Sequence, residues 1–291
     1  MKIYPECIPC HVSQASRISE IMNLEKEENF NFYRNICKML SESPENLKPI
    51  DMAVMIYDFI NKEYGITDVY SDIKVESNNM ALKITKIIEN DNSLNKKSLK
   101  FFCLCSAMGN LIDLGAHDVD LEKVEKEFIS KTESSEFGID NFEEFENRLK
   151  KGNRLLYILD NCGEAVFDKL FIKKIIEKYP HLKIIAAVRE RPIINDITMK
   201  EAMEIGISEL CDVMSSGSIY PGTDIERVND EFRKEFESAD VIVSKGQGNL
   251  EGLFEQRNKK KLFFCLTVKC KTIANLLGVS KGKLVFSNQL P

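Results

Sequence analysis

The chain has no tryptophan, only 3 histidines in 291 residues, and no apolar run of membrane-spanning length. A span needs about 20 apolar residues in succession, and the stretch Leu182–Val188 is already interrupted by Lys183. Its first residues, MKIYPECIPC, have no apolar core of the secretory-signal kind. Membrane partners and export are therefore not expected. Basic blocks are scarce as well. The densest is Lys259-Lys260-Lys261, and 40 Lys+Arg against 46 Asp+Glu leave a formal charge of −6. An acidic chain without a basic stripe is a poor match for a nucleic-acid backbone. A disulfide framework is not evident either. The 9 cysteines are odd in number and scattered, which fits reduced thiols in the cytoplasm.

At 43% hydrophobic and 30% charged residues, the chain can bury a large core and remain soluble. Its length suits two domains. Residues 1–150 read as amphipathic helices. Their apolar faces are Val12, Ala15, Ile18 and Met22; Phe30, Tyr33, Cys37 and Leu40; Ala53, Ile56, Tyr57 and Ile60, opened by Pro49; Ala81, Ile84, Ile87 and Ile88; and Leu121, Val124 and Phe128. Cys37, Cys103, Cys105 and Cys265 read as small core residues. Thr132–Gly138 reads as a connection.

From residue 151 to 291 the period changes. Leu155–Leu159, Ile184–Val188, Cys211–Met214, Val241–Val243 and Leu262–Leu266 are short apolar runs, with helical patterns such as Lys169–Lys178 and Arg227–Glu237 between them. Strand–helix–strand repetition predicts an α/β fold, a doubly wound, Rossmann-like parallel sheet beside a helical N-terminal domain. Such sheets bind ligands beyond the carboxyl ends of their strands, where strand order reverses.

Four predicted strand exits are polar, and all but the second bear glycine: Asp160-Asn161-Cys162-Gly163-Glu164; Arg189 to Asp196; Ser215-Ser216-Gly217-Ser218 leading to Pro221-Gly222-Thr223; and Ser244-Lys245-Gly246-Gln247-Gly248-Asn249. Asp160, Asn161 and Asp196 offer hard oxygen donors for one divalent cation, Mg²⁺, Mn²⁺, Co²⁺ or Ni²⁺. Each alone would serve as a cap or turn residue; the set points to a metal. Lys245 can face a phosphate as a point charge, with backbone N–H groups of Gly246–Asn249 beside it. Ser216, Gly217, Gly222 and Thr223 either cradle an anion or shape their loop. No G-x-G-x-x-G or P-loop occurs. Cys162 replaces the second aspartate of a D-x-D, which weakens an aspartyl-phosphate mechanism of the haloacid dehalogenase kind. Cys7-Ile8-Pro9-Cys10-His11 invites a metal or redox reading, but a zinc site needs about four ligands and no second C-x-x-C exists.

These motifs together resemble the metal-dependent damage-control phosphatases, in their archaeal and bacterial branch. The resemblance is carried by CIPCHVSQA, AMGNLIDLG from Ala107, LDNCGEAVFD from Leu159, RERPIINDIT from Arg189, SSGSIYPGT from Ser215 and SKGQGNLEGL from Ser244. It implies divalent-metal-dependent hydrolysis of small phosphorylated metabolites, such as sugar phosphates, beneath a capping helical domain. It also implies that Asp160, Asn161 and Asp196 ligate the metal, and that Gln247, Gly248, Asn249 and Glu251 lie in a substrate loop preceded by Lys245. Lys269 is implied as a further phosphate-facing cation, and Asn110 and Asp113 as groups facing the cleft from the helical side. In such a site Asp160 would orient or deprotonate the attacking water, or attack itself, and Glu164 would support it. Two other readings are an S-adenosylmethionine-dependent carboxyl methyltransferase, which some relatives have been assigned to be, and a non-catalytic metabolite-binding protein. No glycine motif for the methyl donor is present.

Overall fold

The computed structural model describes residues 1–44, 46–109 and 121–291. Three helices, α1 (Cys7–Ile21), α2 (Lys26–Ser41) and α3 (Pro49–Tyr64), form a layer of their own. Pro49 opens α3 at its first turn, where a missing N–H costs nothing. The layer buries Ala15, Ile18, Phe32, Ile36, Ile56 and Ile60. The face of α2 is Phe32, Ile36 and Leu40, one position round from the Phe30–Tyr33–Cys37 stripe expected from the sequence. The Phe32 ring sits 6.1 Å from both Phe59 and Tyr64, which fixes that rotation. Phe30 is left 58% exposed, and Cys37 is exposed rather than core.

Next come α4 (Ser71–Asn90), α5 (Leu99–Met108), α6 (Leu121–Ser134), β1 (Phe137–Asp140) and α7 (Phe142–Lys151). The stretch read as a connection thus contains the last turn of α6 and the start of β1. The remaining elements are β2 (Arg154–Ile158), α8 (Glu164–Lys178), β3 (Lys183–Val188), α9 (Met199–Glu204), β4 (Asp212–Ser215), α10 (Asp230–Ser238), β5 (Val241–Lys245), α11 (Gly246–Leu253), β6 (Leu262–Thr267), α12 (Lys271–Leu277) and β7 (Leu284–Ser287).

The seven strands form one sheet in the order β1-β7-β6-β5-β2-β3-β4. Strands β2 to β6 are mutually parallel, while β7 and β1 run the other way at one edge. Helices cover both faces, so the strands read as continuous apolar runs: β5 and β6 are buried at every residue. One core joins α4, α5 and α7 to α8 and that face of the sheet. The other joins α10, α11 and α12 to the opposite face. Residues on both sides of 150 share the first core, so the boundary in sequence pattern at 150 is crossed by the packing. No described helix is long and apolar enough to cross a membrane.

Candidate functional site

β2 lies between β3 and β5, so strand order reverses at its two sides. Its exit is the crevice in which such sheets hold ligands. The chain leaving β3 folds back across the chain leaving β2. The Ile197 amide donates to the Asp160 carbonyl at 2.8 Å, the Cys162 amide donates to the Asn195 carbonyl at 2.9 Å, and Asn161 and Asp196 pair as an isolated antiparallel bridge. This brings residues 35 positions apart in sequence side by side. Ile194, inside the returning loop, holds φ at +49°. That is a strained value for a β-branched residue, tolerated where the surrounding contacts dictate the path.

Asp160, Asn161 and Asp196 are all buried, at 5%, 5% and 3% exposure. Arg189, the first residue after β3, ties the two carboxylates together. Its Nε donates to Asp196 Oδ2 at 2.7 Å and its Nη2 to Asp160 Oδ1 at 3.3 Å. Its Nη1 donates to Thr223 Oγ1 at 3.1 Å, and Thr223 donates in turn to Asn249 Oδ1 at 2.8 Å. Burial, then the charges of Asp196 and Glu164, push the Asp160 carboxyl well above the ordinary range in spite of Arg189 and Lys269. Burial likewise raises Asp196 against the pull of Arg189. Clustered acids of this kind gain from a cation.

The donor set fits a hard divalent ion. Asp160, Asn161 and Asp196 present oxygen only, and neither Asn161 Oδ1 nor Asp196 Oδ1 accepts a hydrogen bond among the described residues. Gly246 completes the cradle. It holds φ at +76°, and a Cβ there would lie 1.9 Å from Asp160 Oδ2. Two aspartates and an amide are the whole set: no three His, Cys, Asp or Glu among the described residues are placed to hold a metal. The same holds for the N-terminal thiols. Burial raises Cys7 and Cys10, and the charges of Glu251 and Cys270 add to it, so both are ordinary protonated thiols at neutral pH.

Lys245 departs from the expected place at a phosphate. It is fully buried, and its ammonium donates to Ser106 O at 3.0 Å, Glu164 Oε1 at 2.6 Å and Asp168 Oδ1 at 2.8 Å. Burial opposes its charge, but Asp168 and Glu164 outweigh it and hold the ammonium well above its ordinary pKa. Glu164 Oε2 accepts from Asn161 Nδ2 at 3.2 Å, and that nitrogen also donates to Asp160 Oδ2 at 2.7 Å.

Lys269, by contrast, is exposed, and its charge acts on Asp160, Asp196 and Glu251. Its backbone N–H is held at 3.0 Å by Gln247 Oε1, and Gln247 Nε2 donates to Glu251 Oε1 at 2.9 Å. Asn249 is a brace: its amide bonds the carbonyls of Leu159 and Lys245 at 3.1 and 2.7 Å. Gly248 meets the neighbouring loop backbone to backbone. A Cβ on it would lie 2.0 Å from Pro221 O, and one on Gly222 would lie 2.2 Å from Gly248 O. Ser216 and Gly217 shape their own loop. Ser216 Oγ donates to Val188 O at 2.8 Å, and Gly217 packs on Asn229. Asn110 and Asp113 lie outside the described residues.

Several residues of the site were not singled out from the sequence. Arg189 stands in a strand exit, where its position was the available signal, and its partner Thr223 was read there only as an anion-cradling or loop-shaping residue. Asp168 lies one turn beyond Glu164 on α8, the spacing that puts two side chains on one face. Asn78 gave no signal at all. It reaches over from α4, and its Oδ1 accepts from the Gly163 N–H at 2.6 Å.

Comparison with known proteins places this geometry among relatives. The family model described as the damage-control phosphatase ARMT1-like domain matches residues 3–285. A damage-control phosphatase of Pyrococcus horikoshii is 34% identical over 288 residues, covering 98% of this chain and 97% of that one. A damage-control phosphatase of Archaeoglobus fulgidus is 28% identical over 290 residues, covering 98% of each. The crystal structure of a DUF89 family protein from P. horikoshii superposes with a TM-score of 0.92 at 32% identity, covering 99% of this chain and 100% of that one.

Proposed function

The chain belongs to the ARMT1-like damage-control phosphatase family, and from that premise we propose that it is a divalent-metal-dependent phosphomonoesterase acting on small phosphorylated metabolites. The observation that carries this reading is the convergence of Asp160, Asn161 and Asp196 from two strand exits, with two oxygens unclaimed and Lys269 as a nearby exposed cation. The three residues hold the cation, which when bound neutralises charge on the phosphoryl oxygens. Lys269 binds a further phosphate oxygen. Arg189 keeps the two carboxylates at a fixed separation, and Thr223 keeps Arg189 in place. Asp160 orients the attacking water and takes its proton.

The test is phosphate release from a panel of sugar phosphates and a chromogenic ester. Metal-stripped protein is assayed with and without Mg²⁺, Mn²⁺, Co²⁺ or Ni²⁺, beside Asp160→Asn and Asp196→Ala. Metal-restored turnover, lowered at least about 100-fold by Asp160→Asn, is the expected result. No release by folded, metal-loaded protein across the panel would sink the general phosphomonoesterase reading.

A further inference from the structure

An ammonium has three donors, and Lys245 spends all of them inside the protein, on Ser106 O, Glu164 and Asp168. None is left for a substrate. The contacts continue outward instead. Glu164 reaches Asn161 Nδ2, and Asn161 Nδ2 reaches Asp160. Both amide hydrogens of Asn161 are thereby committed, which leaves Oδ1 as its free atom and fixes where that oxygen points. At the inner end, Asp168 Oδ1 accepts from Lys245 and from Tyr157 OH, each at 2.8 Å, and from Ser106 Oγ. Asp168 is fully buried. A buried ion cluster is weak grounds for stability, since apolar residues of the same volume often do as well. Groups that orient metal ligands, in contrast, typically change metal affinity or activity 10- to 100-fold when removed.

We propose that Asp168 is a positioning residue of the hydrolytic site: it anchors Lys245, which fixes Glu164 against the Asn161 amide and so aims Asn161 Oδ1 and the Asp160 carboxylate at the same cation. This rests on the reading of Asp160, Asn161 and Asp196 as metal ligands. Asp168 touches neither substrate nor metal. Its effect travels through three side chains, all of them drawn from the ends of β2, β5 and α8.

The experiment compares Asp168→Asn with Tyr157→Phe. The first removes the charge that holds Lys245 and keeps the shape. The second removes one hydrogen bond from the same carboxylate and keeps the ion pair. Mn²⁺ affinity of the purified protein is measured by calorimetry, with kcat, KM and melting temperature alongside. The expected result is Mn²⁺ binding about 10- to 100-fold weaker in Asp168→Asn, with kcat falling and KM little changed, while Tyr157→Phe keeps Mn²⁺ affinity within about twofold. If Asp168→Asn does not fold, Asp168→Glu, which keeps the charge but lengthens the arm, carries the same comparison. Mn²⁺ binding unchanged in the Asp168 variant, or lost equally in Tyr157→Phe, overturns the proposal alone. Absence of Mn²⁺ binding by the unsubstituted protein overturns the metal-site reading and the proposal with it.

Discussion

Two buried carboxylates share one guanidinium at this site, and the cation beside them that is open to solvent is Lys269. The division of labour between positive charges follows from their surroundings. Arg189 and Lys245 are enclosed and hydrogen-bonded to protein, whereas Lys269 is exposed and without an ion pair among the described residues. Lys269→Ala is therefore expected to raise KM for a phosphate ester about tenfold, some 1.4 kcal/mol of binding, and to leave the melting temperature unchanged. Steady-state kinetics and thermal melts check the two halves separately. Gly246 is the opposite case. A methyl group there collides with Asp160 Oδ2, and φ of +76° is strained for any other residue. Gly246→Ala is expected to lose about 1–3 kcal/mol of stability and to weaken metal binding, both measurable by denaturant melts with and without Mn²⁺. The three oxygen donors stood out as candidates in the sequence because Asp160 and Asn161 follow directly on one apolar run and Asp196 lies in the polar exit of the next, eight residues beyond Val188. The role of Lys245 was not. A lysine ending a strand looks the same whether it faces a ligand or turns inward; only the acids on α8, brought close by packing, show which.

At the scale of elements, the strands β2 to β6 and the helices α8 and α10 followed from period and apolar runs, while the short α9 did not. The edge pair was harder. β1 is four residues containing a glycine and β7 is four residues near the end of the chain, too short for a periodic signal to stand out. The rotation of α2 was misjudged for a different reason: Phe30 and Phe32 both suit a core by composition, and the choice between them is made by Phe59 and Tyr64 on α3. The docking of α4 on the β2 exit was likewise unreadable, because Asn78 and Gly163 are 85 residues apart. That bond satisfies an N–H at the start of α8, the work of an N-cap supplied from another helix. Asn78→Ala is expected to cost about 1–2 kcal/mol and to loosen the turn that carries Asp160 and Asn161. Hydrogen exchange at residues 161–164 checks this directly.

For the molecule as a whole, the site makes stability depend on pH and on metal together. Asp160, Asp196 and Asp168 all have carboxyls raised chiefly by burial. A group whose folded pKa lies above its unfolded value of about 3.9 holds extra protons in the folded state. Its contribution is complete below that pH and is lost as pH rises through the folded value. Metal-free protein is therefore expected to lose this contribution on going from about pH 4 toward neutrality, while a bound divalent ion offsets the loss at the ligand pair. Melting temperatures from pH 5 to 8 in chelator and in Mn²⁺ should diverge as pH rises; parallel curves would count against the site. The backbone joint between Pro221–Thr223 and α11 has a consequence of another kind. With Gly222 and Gly248 in direct contact and Ile50 of α3 against the same turn, the joint contains almost no side chain that substitution can adjust. Drift among descendants of this fold is thus channelled away from this joint, toward neighbouring positions whose side chains have room to change.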